Sequence, residues 1–352
     1  MVYRRGSLST HEMYLEPAGA AGLAVAIIVA YNLVHSFIFP VNLLYMAAMA
    51  LEQNHFRVRF WGVRGSYPTT SPSTSDIGGD TSCVEISVGG RRLIFDAGTG
   101  IIPLGKDICR RAAPQPASYI FLSHTHIDHL MGLYFFEPLL TAGARSFIYG
   151  PGRSNGALQQ TLRQLTHNNL FPVTFDELKG KIEVHSLGGG EALRFGAPGK
   201  RLAVRKHPPA RRNPNGELSI ATHKSPAHPR EGVMLYRIEY RGKTLVYATD
   251  VEQRPGGYAG VIEFAQGADM LIHDAQYLHG EYYSRTKSKK GWGHSTVEMA
   301  AEVAAKAQVK KLVLFHHDPQ HDDPEMGRIA RLCKKLFANS VVAYQGLELK
   351  LL

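Results

Sequence analysis

Cysteine is scarce in this chain of 352 residues. The three cysteines, Cys83, Cys109 and Cys333, are odd in number, widely separated and in no Cys-x-x-Cys pair. This pattern excludes a disulfide framework and a thiolate zinc site, and it favours a reducing compartment over secretion. Internal repeats are also lacking. We therefore expect a cytoplasmic protein without a repeat architecture.

Acidic residues are fewer than basic ones, at 30 against 40, and the formal net charge is +10. An excess of positive charge predicts an acidic partner: an anionic small molecule or nucleotide substrate, a nucleic acid, or an anionic membrane surface. A basic soluble protein with no such partner is the alternative. The length and the apolar fraction of 44% accommodate one large α/β domain with a short appendage.

Aspartate, glutamate, lysine and arginine are all missing between Pro17 and Leu51. Within this stretch, residues 18–39 are long and apolar enough to span a bilayer as a helix. A membrane anchor is one interpretation, and a cleaved signal peptide is another. A third is that the gene start is assigned too early, because translation from Met46 or Met49 would give a soluble protein.

The globular part is expected to start after this segment. We predict an N-terminal apolar segment over 1–54 and one domain over 55–352. A first block of strands and helices is predicted at Phe56–Trp61, Cys83–Val88, Arg92–Phe95, Ile101–Ala113, Tyr119–Leu122, Leu130–Leu140, Ser146–Tyr149 and Leu158–His167. A second block is predicted at Ile182–His185, Leu202–Arg205, Val233–Tyr240, Thr244–Tyr247, Met270–Ile272, Thr296–Lys306, Lys311–Phe315 and Glu325–Leu336, before two closing strands. Two further stretches, 66–81 and the basic segment 200–230, are predicted as loops.

Three histidines and an aspartate follow the apolar run Tyr119–Leu122 within six positions: His124, His126, Asp128 and His129. A short apolar run bounded by turn signals reads as a buried strand, which places the cluster at the strand's carboxyl end. Imidazole and carboxylate groups suit zinc and similar divalent metals. His124 and His126 can hold one ion from the same side, while Asp128 and His129 turn towards a second. The spacing therefore predicts two metal ions.

Further ligands are expected at other strand ends. Asp250 follows the apolar run Leu245–Thr249, and a carboxylate there can bridge two cations with its two oxygens. His316 follows Leu312–Phe315 in the same arrangement. For the remaining position of the first ion, His207, His223 and His228 all lie in the basic segment and stay open as candidates.

The His-x-His-x-Asp-His pattern resembles the signature of the metallo-β-lactamase superfamily. The resemblance implies an α/β fold, the αββα four-layer sandwich, here preceded by an apolar N-terminal helix. It also implies one ion on His124, His126 and His228, a second on Asp128, His129 and His316, and Asp250 as the bridge. His228 is preferred because His228-Pro229 before a strand looks like the family's pattern, with His207 in reserve. The implied ions are Zn²⁺, with Mn²⁺ as the alternative.

Other stretches resemble the phosphodiesterase and tRNA 3′-processing branch of this superfamily, namely Trp61–Ser66, Gly78–Cys83, Phe95–Gly100, Asp274–Gln276, Gly293–Thr296 and Lys311–His316. The resemblance implies a dinuclear metal-dependent hydrolase of phosphodiester bonds, with a small or cyclic nucleotide or RNA as substrate. A lactone or ester hydrolase with the same metals is the first alternative. A membrane-tethered metal-binding protein without turnover is the second, and a homodimer is a further expectation.

Two residues are predicted to be catalytic, Asp128 in the first loop and His294 as the general acid that protonates the leaving oxygen. Asp96 is predicted to orient the loop rather than to bind metal. His317 and Asp318 are candidates for competing ligands or for groups that hold the ligands. Cationic contacts to the phosphoryl oxygens are expected from the basic segment and two arginines, Arg64 and Arg237.

Overall fold

The structure is a computed structural model, and it describes residues 55–110, 117–154, 156–166, 171–196, 199–206, 217–253 and 257–352. The predicted N-terminal segment 1–54 and the candidate ligand His207 lie outside these ranges. Within them, no helix is both long and apolar enough to cross a bilayer. The predicted anchor at 18–39 and the domain boundary at 54 therefore stay predictions.

Seven strands form the first sheet. In spatial order they are β15 (Glu348–Lys350), β1 (Phe56–Gly62), β2 (Cys83–Val88), β3 (Arg91–Phe95), β4 (Ser118–Phe121), β5 (Arg145–Pro151) and β6 (Lys181–Leu187). The pairs from β15 to β3 are antiparallel, and those from β3 to β6 are parallel. Every residue of β4 is buried, as expected of a parallel strand covered on both faces.

Eight strands form the second sheet. In spatial order they are β14 (Ser340–Val342), β13 (Leu312–Phe315), β12 (Met270–Asp274), β11 (Lys243–Ala248), β10 (Val233–Tyr240), β9 (Ser219–Ser225), β7 (Glu191–Arg194) and β8 (Ala203–Lys206). Neighbouring strands from β11 to β14 are parallel. The pairs β11–β10, β10–β9, β9–β7 and β7–β8 are antiparallel.

The two sheets pack face to face, and helices cover their outer faces. The first sheet carries α1 (Ile101–Arg110), α2 (Glu137–Leu140) and α3 (Ala157–Leu165), and the second carries α4 (Ala259–Ala265), α6 (Val297–Lys306) and α7 (Asp323–Leu336), with α5 (His279–Tyr282) beside the strand ends. The core between the sheets is rich in aromatic side chains, such as Phe95, Phe121 and Tyr236. Burial of each such side chain stabilises the fold by about 1.5–3 kcal/mol. The predicted αββα sandwich is confirmed.

The prediction of one helix over Leu130–Leu140 is wrong. The chain forms a 3₁₀ turn at Leu133–Phe135, becomes extended at Phe136, and starts α2 at Glu137. Pro138 lacks a backbone N–H and is suited to the first turn of a helix, so a helix begins here instead of running through.

Two predictions about the second block are also wrong. Ile182–His185 lies in β6, which pairs with β5 in the first sheet, and the second sheet begins with β7 instead. The predicted strand Leu202–Arg205 is confirmed as β8, but the rest of the basic segment 200–230 was predicted as a loop and contains β9. Polar side chains such as Thr222 and Ser225 are buried in β9, so the sequence shows no apolar alternation there.

Parallel pairing brings the polar strand ends together. The strands β3 and β4 run parallel in the first sheet, and β11, β12 and β13 run parallel in the second. Carboxyl ends of parallel strands lie at one edge of a sheet, where α/β folds place their binding sites. The residues that end or follow these five strands are Asp96, Ser123, Asp250, Asp274 and His316.

Candidate metal centre

The loop after β4 is shaped by a 3₁₀ turn at Ile127–His129. In this turn Asp128 and His129 are buried, whereas the side chain of Ile127 between the ligands is 55% exposed. The backbone N–H of Ala97 donates to the carbonyl of His129 at 2.8 Å, which ties the turn to the end of β3. The loop therefore buries His124, Asp128 and His129 and leaves His126 exposed at the opening of the site.

His124, His126 and His228 form the first ligand group. One nitrogen from each ring lies within 4.8 Å of those of the other two. His228 reaches the group from the loop between β9 and β10, and its Nδ1–H donates to the carbonyl of Gly293 at 3.1 Å. Its Nε2 then lies 3.1 Å from Nδ1 of His126. The structure thus brings together the three residues predicted for the first ion.

The hydrogen bonds of His124 assign its tautomer. Ser123 Oγ donates to Asp96 Oδ2 at 2.8 Å, so it accepts from His124 Nδ1 at 3.0 Å. Burial lowers the pKa of His124 well below its ordinary value, which keeps the ring neutral. Its Nε2 is then a bare lone pair, buried and without a hydrogen-bond partner. Such an atom costs about 1–3 kcal/mol if unsatisfied, and a metal ion satisfies it.

Asp128, His129, Asp250 and His316 form the second ligand group. Nε2 of His129 lies 3.3 Å from Oδ2 of each carboxylate and 3.2 Å from Nε2 of His316. Both imidazoles use their Nδ1–H elsewhere, towards Asp96 at 2.8 Å and Gln276 at 3.0 Å. Two imidazole nitrogens and two carboxylate oxygens therefore converge, an arrangement that needs a positive charge, a proton or a metal ion, between them.

Burial and the charges of neighbouring side chains shift the pKa values of the second ligand group. Burial disfavours the imidazolium of His129, but the carboxylates of Asp250, Asp128 and Asp96 outweigh burial and raise its pKa well above the ordinary value. Burial also acts against the charged forms of Asp128 and Asp250, yet the nearby histidines hold both carboxyl pKa values well below their usual range. The second group is therefore an anionic cavity that attracts cations.

Asp250 lies between the two groups. Its Oδ1 is 3.7 Å from Nε2 of His124 in the first group, and its Oδ2 is 3.3 Å from Nε2 of His129 in the second. Nitrogen and carboxylate oxygen atoms at this density fit zinc and neighbouring divalent ions. The described residues therefore provide a divalent metal site.

Asp96 holds this site in place, as predicted for an orienting residue. Its Oδ1 accepts from the backbone N–H of Ser123 at 2.7 Å. Its Oδ2 accepts from the Ser123 hydroxyl, from His129 Nδ1 and from the phenol of Tyr247, each at 2.8 Å. Tyr247 belongs to β11, so one carboxylate connects both sheets and fixes the ring of His129. Asp96 belongs to none of the ligand clusters among the described residues.

His294 lies beside both groups and is paired with Asp274. Its Nδ1 donates to Oδ2 of Asp274 at 2.7 Å, and its ring stacks on His316 with centroids 4.9 Å apart. These residues, with Asp250, also form a third cluster of ligand atoms within 4.8 Å. The geometry thus places His294 next to the predicted metal ligands.

The short loop before His294 is anchored to Glu252. The carboxylate of Glu252 accepts from the backbone N–H groups of Gly291 at 2.6 Å and Gly293 at 2.8 Å. Gly293 has φ +94, and a Cβ there would lie 2.3 Å from Nδ1 of His228. Only glycine allows this approach of the loop to the ligand.

Three strand ends at the site adopt left-handed backbone conformations. The non-glycine residues Asp96, Asp250 and His316 have φ of 61, 54 and 61. Such values are uncommon for residues with a Cβ and cost about 1–2 kcal/mol each. The conformation turns each side chain from its strand end back towards the metal site.

Other predicted site residues lie elsewhere. His317 donates from Nε2 to the carbonyl of Ala343 at 2.9 Å, and burial lowers its pKa to about 3. His223 packs on the ring of Phe264 at a centroid distance of 5.3 Å. Neither His317, His223 nor Asp318 belongs to a ligand cluster among the described residues.

The two arginines expected to contact a phosphoryl group are bound to other parts of the chain, Arg64 through its Nε and Nη1 atoms. Arg64 is fully buried, and its guanidinium donates to the carbonyls of Gly78, Asp318 and His321. Arg237 pairs with Glu239 at 2.8 Å and donates to two further carbonyls. Both side chains therefore stabilise the fold, and the expectation of a substrate contact is wrong for each.

Sequence reasoning missed the partners that orient the ligands. Ser123, Tyr247, Asp274 and Gln276 each bond to a predicted site residue or to Asp96, but no role was assigned to them. Asp274-Ala275-Gln276 was noticed as a motif. Asp274 ends β12, much as Asp250 follows β11, and this position at a strand end could have assigned the motif to the site.

A face-to-face αββα sandwich with a divalent metal site at its strand ends defines the metal-dependent hydrolases of the metallo-β-lactamase fold. The profile of a family described as "Beta-lactamase superfamily domain" matches residues 91–317, more than half of the chain. The chain therefore belongs to the β-lactamase superfamily, as its motifs predicted.

The comparisons with individual proteins agree with this assignment. Ribonuclease Z of Archaeoglobus fulgidus is 25% identical over 330 residues, which cover 84% of this chain and 97% of the relative. Ribonuclease Z of Pyrococcus horikoshii is 28% identical over 299 residues, covering 76% and 88%. The crystal structure of the metallo-β-lactamase fold protein YhfI from Bacillus subtilis has a TM-score of 0.58, with 19% identity and coverage of 84% and 100%.

Proposed function

We propose that this chain hydrolyses phosphodiester bonds of RNA or of nucleotides with the help of two divalent cations. The observation that carries the proposal is the pair of neighbouring ligand groups, in which imidazole nitrogens and carboxylate oxygens converge and Nε2 of His124 is buried without a hydrogen-bond partner. Matches to several proteins named ribonuclease Z support a phosphodiester as the substrate. The positive net charge of the chain suits an anionic substrate of this kind.

The residues proposed to hold the cations follow the two groups. One ion would be held by His124, His126 and His228, the other by Asp128, His129 and His316, with Asp250 shared between them. Zn²⁺ is the proposed metal and Mn²⁺ the alternative, since both accept imidazole and carboxylate ligands. Such cations, when bound, lower the pKa of water and neutralise charge on the phosphoryl oxygens.

Asp128 and His294 are the proposed catalytic residues of the chain itself. Oδ2 of Asp128 accepts from the backbone N–H of Ser66 at 2.8 Å and faces His316 at 3.3 Å, which leaves Oδ1 to orient an attacking water. His294 would donate a proton to the departing oxygen. Asp274, bonded to its Nδ1, fixes the ring so that Nε2 is the donating atom.

A substrate panel tests this function. We expect the purified protein to hydrolyse bis-para-nitrophenyl phosphate, and to act far more slowly on lactones and β-lactams, because the site is built for an anionic phosphoryl group. Turnover of each substrate is measured beside bound metal by elemental analysis. Preferential lactone hydrolysis would support the carbon-ester alternative, and bound metal without any turnover would support a non-catalytic metal-binding protein.

The assignment of His228 is a second prediction. His228→Ala should reduce occupancy of the first ion, because its Nε2 faces His126 at 3.1 Å. The second ion, whose ligands lie in other loops, should be retained, so the metal content should fall from about two ions per chain to about one. His223→Ala is the matched control, because His223 packs on Phe264 and touches no ligand. A loss of metal in His207→Ala instead would show that the third ligand was misassigned.

The cytoplasmic location, the membrane contact through 18–39 and the homodimer remain proposals. The membrane contact concerns residues outside the described ranges, and the homodimer concerns a second copy of the chain. If residues 18–39 anchor the protein, the full chain should sediment with membranes, whereas a chain starting at Met49 should stay in the supernatant with equal activity. A full chain that stays in the supernatant would remove the anchor.

A further inference from the structure

A basic and aromatic loop lies between α5 and His294. Four cationic residues fall within six positions of it: Arg285, Lys287, Lys289 and Lys290. Among the described residues, none of the four has a carboxylate at ion-pair distance, and all but Lys289 are exposed. Lys289 and Lys290 lie over aromatic rings, which leaves their charges without a neutralising anion, and cations at this density attract polyanions such as the phosphate backbone of a nucleic acid.

Trp292 ends this loop and is 57% exposed, an unusual exposure for so large an apolar side chain. The ammonium of Lys289 lies 4.1 Å from the centroid of its indole. The lysine thus covers one face of the ring by a cation–π contact, and the exposed remainder leaves the opposite face to a planar partner. An exposed indole beside cationic side chains is suited to stacking against a nucleobase, and we call it the stacking platform.

The platform is fixed with respect to the metal ligands. The backbone N–H groups of Gly291 and Gly293, on either side of Trp292, both donate to Glu252. The carbonyl of Gly293 in turn accepts from Nδ1 of the proposed ligand His228 at 3.1 Å. Earlier in the loop, the N–H of Lys289 donates to the carbonyl of Tyr282 at 3.2 Å. Because the loop is held at both ends, little ordering is needed when a ligand binds.

We propose that Trp292 and the cations beside it form a nucleoside-binding subsite next to the metal centre. The base of the nucleotide adjoining the scissile phosphate stacks on the free face of Trp292, and Lys289 and Lys290 contact its flanking phosphate. This inference rests on the proposed function, since it names the part of the phosphodiester substrate that the site recognises. It makes nucleotides and RNA better substrates than phosphodiesters without a base.

Tryptophan fluorescence tests binding directly. The sequence has two tryptophans, Trp61 and Trp292, so Trp61→Phe leaves Trp292 as the single reporter. The full-length Trp61→Phe protein is titrated with adenosine 5′-monophosphate and with ribose 5-phosphate, which share the phosphate and differ by the base. Neither is a phosphodiester, so neither is consumed. We expect saturable quenching by the nucleotide and none by the sugar phosphate. Equal responses to both ligands would overturn the proposal.

Kinetics provide the second test. The para-nitrophenyl ester of a nucleoside 5′-phosphate is compared with methyl para-nitrophenyl phosphate, which has the same leaving group and no base. Trp292→Ala should raise KM for the nucleoside ester by about 5- to 150-fold, the usual effect of losing one base-stacking contact, and should affect the methyl ester far less. Trp292→Phe should restore much of the loss, because it keeps an aromatic ring. Trp61→Phe, which changes a tryptophan away from this loop, is the control and should keep the parental KM.

The two tests separate the subsite from the proposed function. If the parent protein hydrolyses neither ester, the proposed function fails, while the fluorescence titration still reports on the subsite. If the parent hydrolyses both esters and Trp292→Ala slows both equally, the subsite is refuted and the hydrolase stands. A stronger KM effect on the nucleoside ester, together with quenching by the nucleotide alone, supports both.

Discussion

Asp250→Ala is expected to remove both cations and at least about 99% of the activity. The carboxylate of Asp250 faces His124 with one oxygen and His129 with the other, at 3.7 and 3.3 Å. Loss of an outer partner of a metal ligand costs about 10- to 100-fold in affinity or activity, and loss of a shared ligand should cost at least the upper value. Elemental analysis should show a fall from about two ions per chain to nearly none.

The backbone at Asp250 calls for a matched second variant. Its φ of 54 suits asparagine better than alanine, so Asp250→Ala combines the loss of the ligand with added strain. Asp250→Asn keeps the shape and the backbone preference but removes the charge. We expect both variants to lose metal, with a smaller change in melting temperature for Asp250→Asn. Loss of one ion alone in Asp250→Asn would show that Asp250 does not bridge.

His294→Ala should slow the hydrolysis of an alkyl phosphodiester by about 100- to 10,000-fold, the usual contribution of a general acid. An alkoxide is a poor leaving group and needs the proton, whereas a nitrophenolate leaves without it. Hydrolysis of bis-para-nitrophenyl phosphate should therefore change little in the same variant. Rates on both substrates, measured with one enzyme preparation, give the comparison.

Metal content distinguishes the two roles that the geometry allows to His294. The residue lies in a cluster with Asp250, Asp274 and His316, so it could also act as a ligand. A general acid leaves the metal content unchanged when it is removed, and a ligand does not. Asp274→Asn is the companion variant, because it removes the charge beside His294 and leaves one oxygen to accept either from Nδ1 of His294 or from the backbone N–H groups of Gln276 and Ser295; we expect a smaller loss on the alkyl substrate than for His294→Ala. Equal losses on both substrates would assign His294 to the scaffold.

Local sequence patterns predicted most of the residues that the structure brings into the two groups, because most of them follow a strand. The turn after Tyr119–Leu122, Asp250 and His316 could all be found from a short apolar run that ends in a metal-binding side chain. Of the three candidates for the third histidine, His228 is the one that the structure places in the first group. The fold class followed from the same strands.

The residues that orient the ligands could not be predicted in this way. The contacts of His294 with Asp274 and of His316 with Gln276 join residues 20 and 40 positions apart on different loops, and no local periodicity reports such pairs. The role assigned to Arg64 was wrong for a related reason. A charged residue in a motif suggests a ligand contact, but only the three-dimensional packing shows that its guanidinium is buried against carbonyl groups.

The left-handed conformations at Asp96, Asp250 and His316 imply that the site lowers the thermostability of the fold in order to position its side chains. Glycine tolerates such φ values at no steric cost, so this chain retains strain of a few kcal/mol at three positions where a different residue would relieve it. Selection for stability alone would favour glycine or asparagine at these three positions and would remove side chains that the catalytic centre needs. His316→Gly should therefore be inactive and yet unfold at a temperature no lower than the metal-free parent, as differential scanning calorimetry can show. A clearly lower unfolding temperature would mean that the packing of the imidazole outweighs the strain.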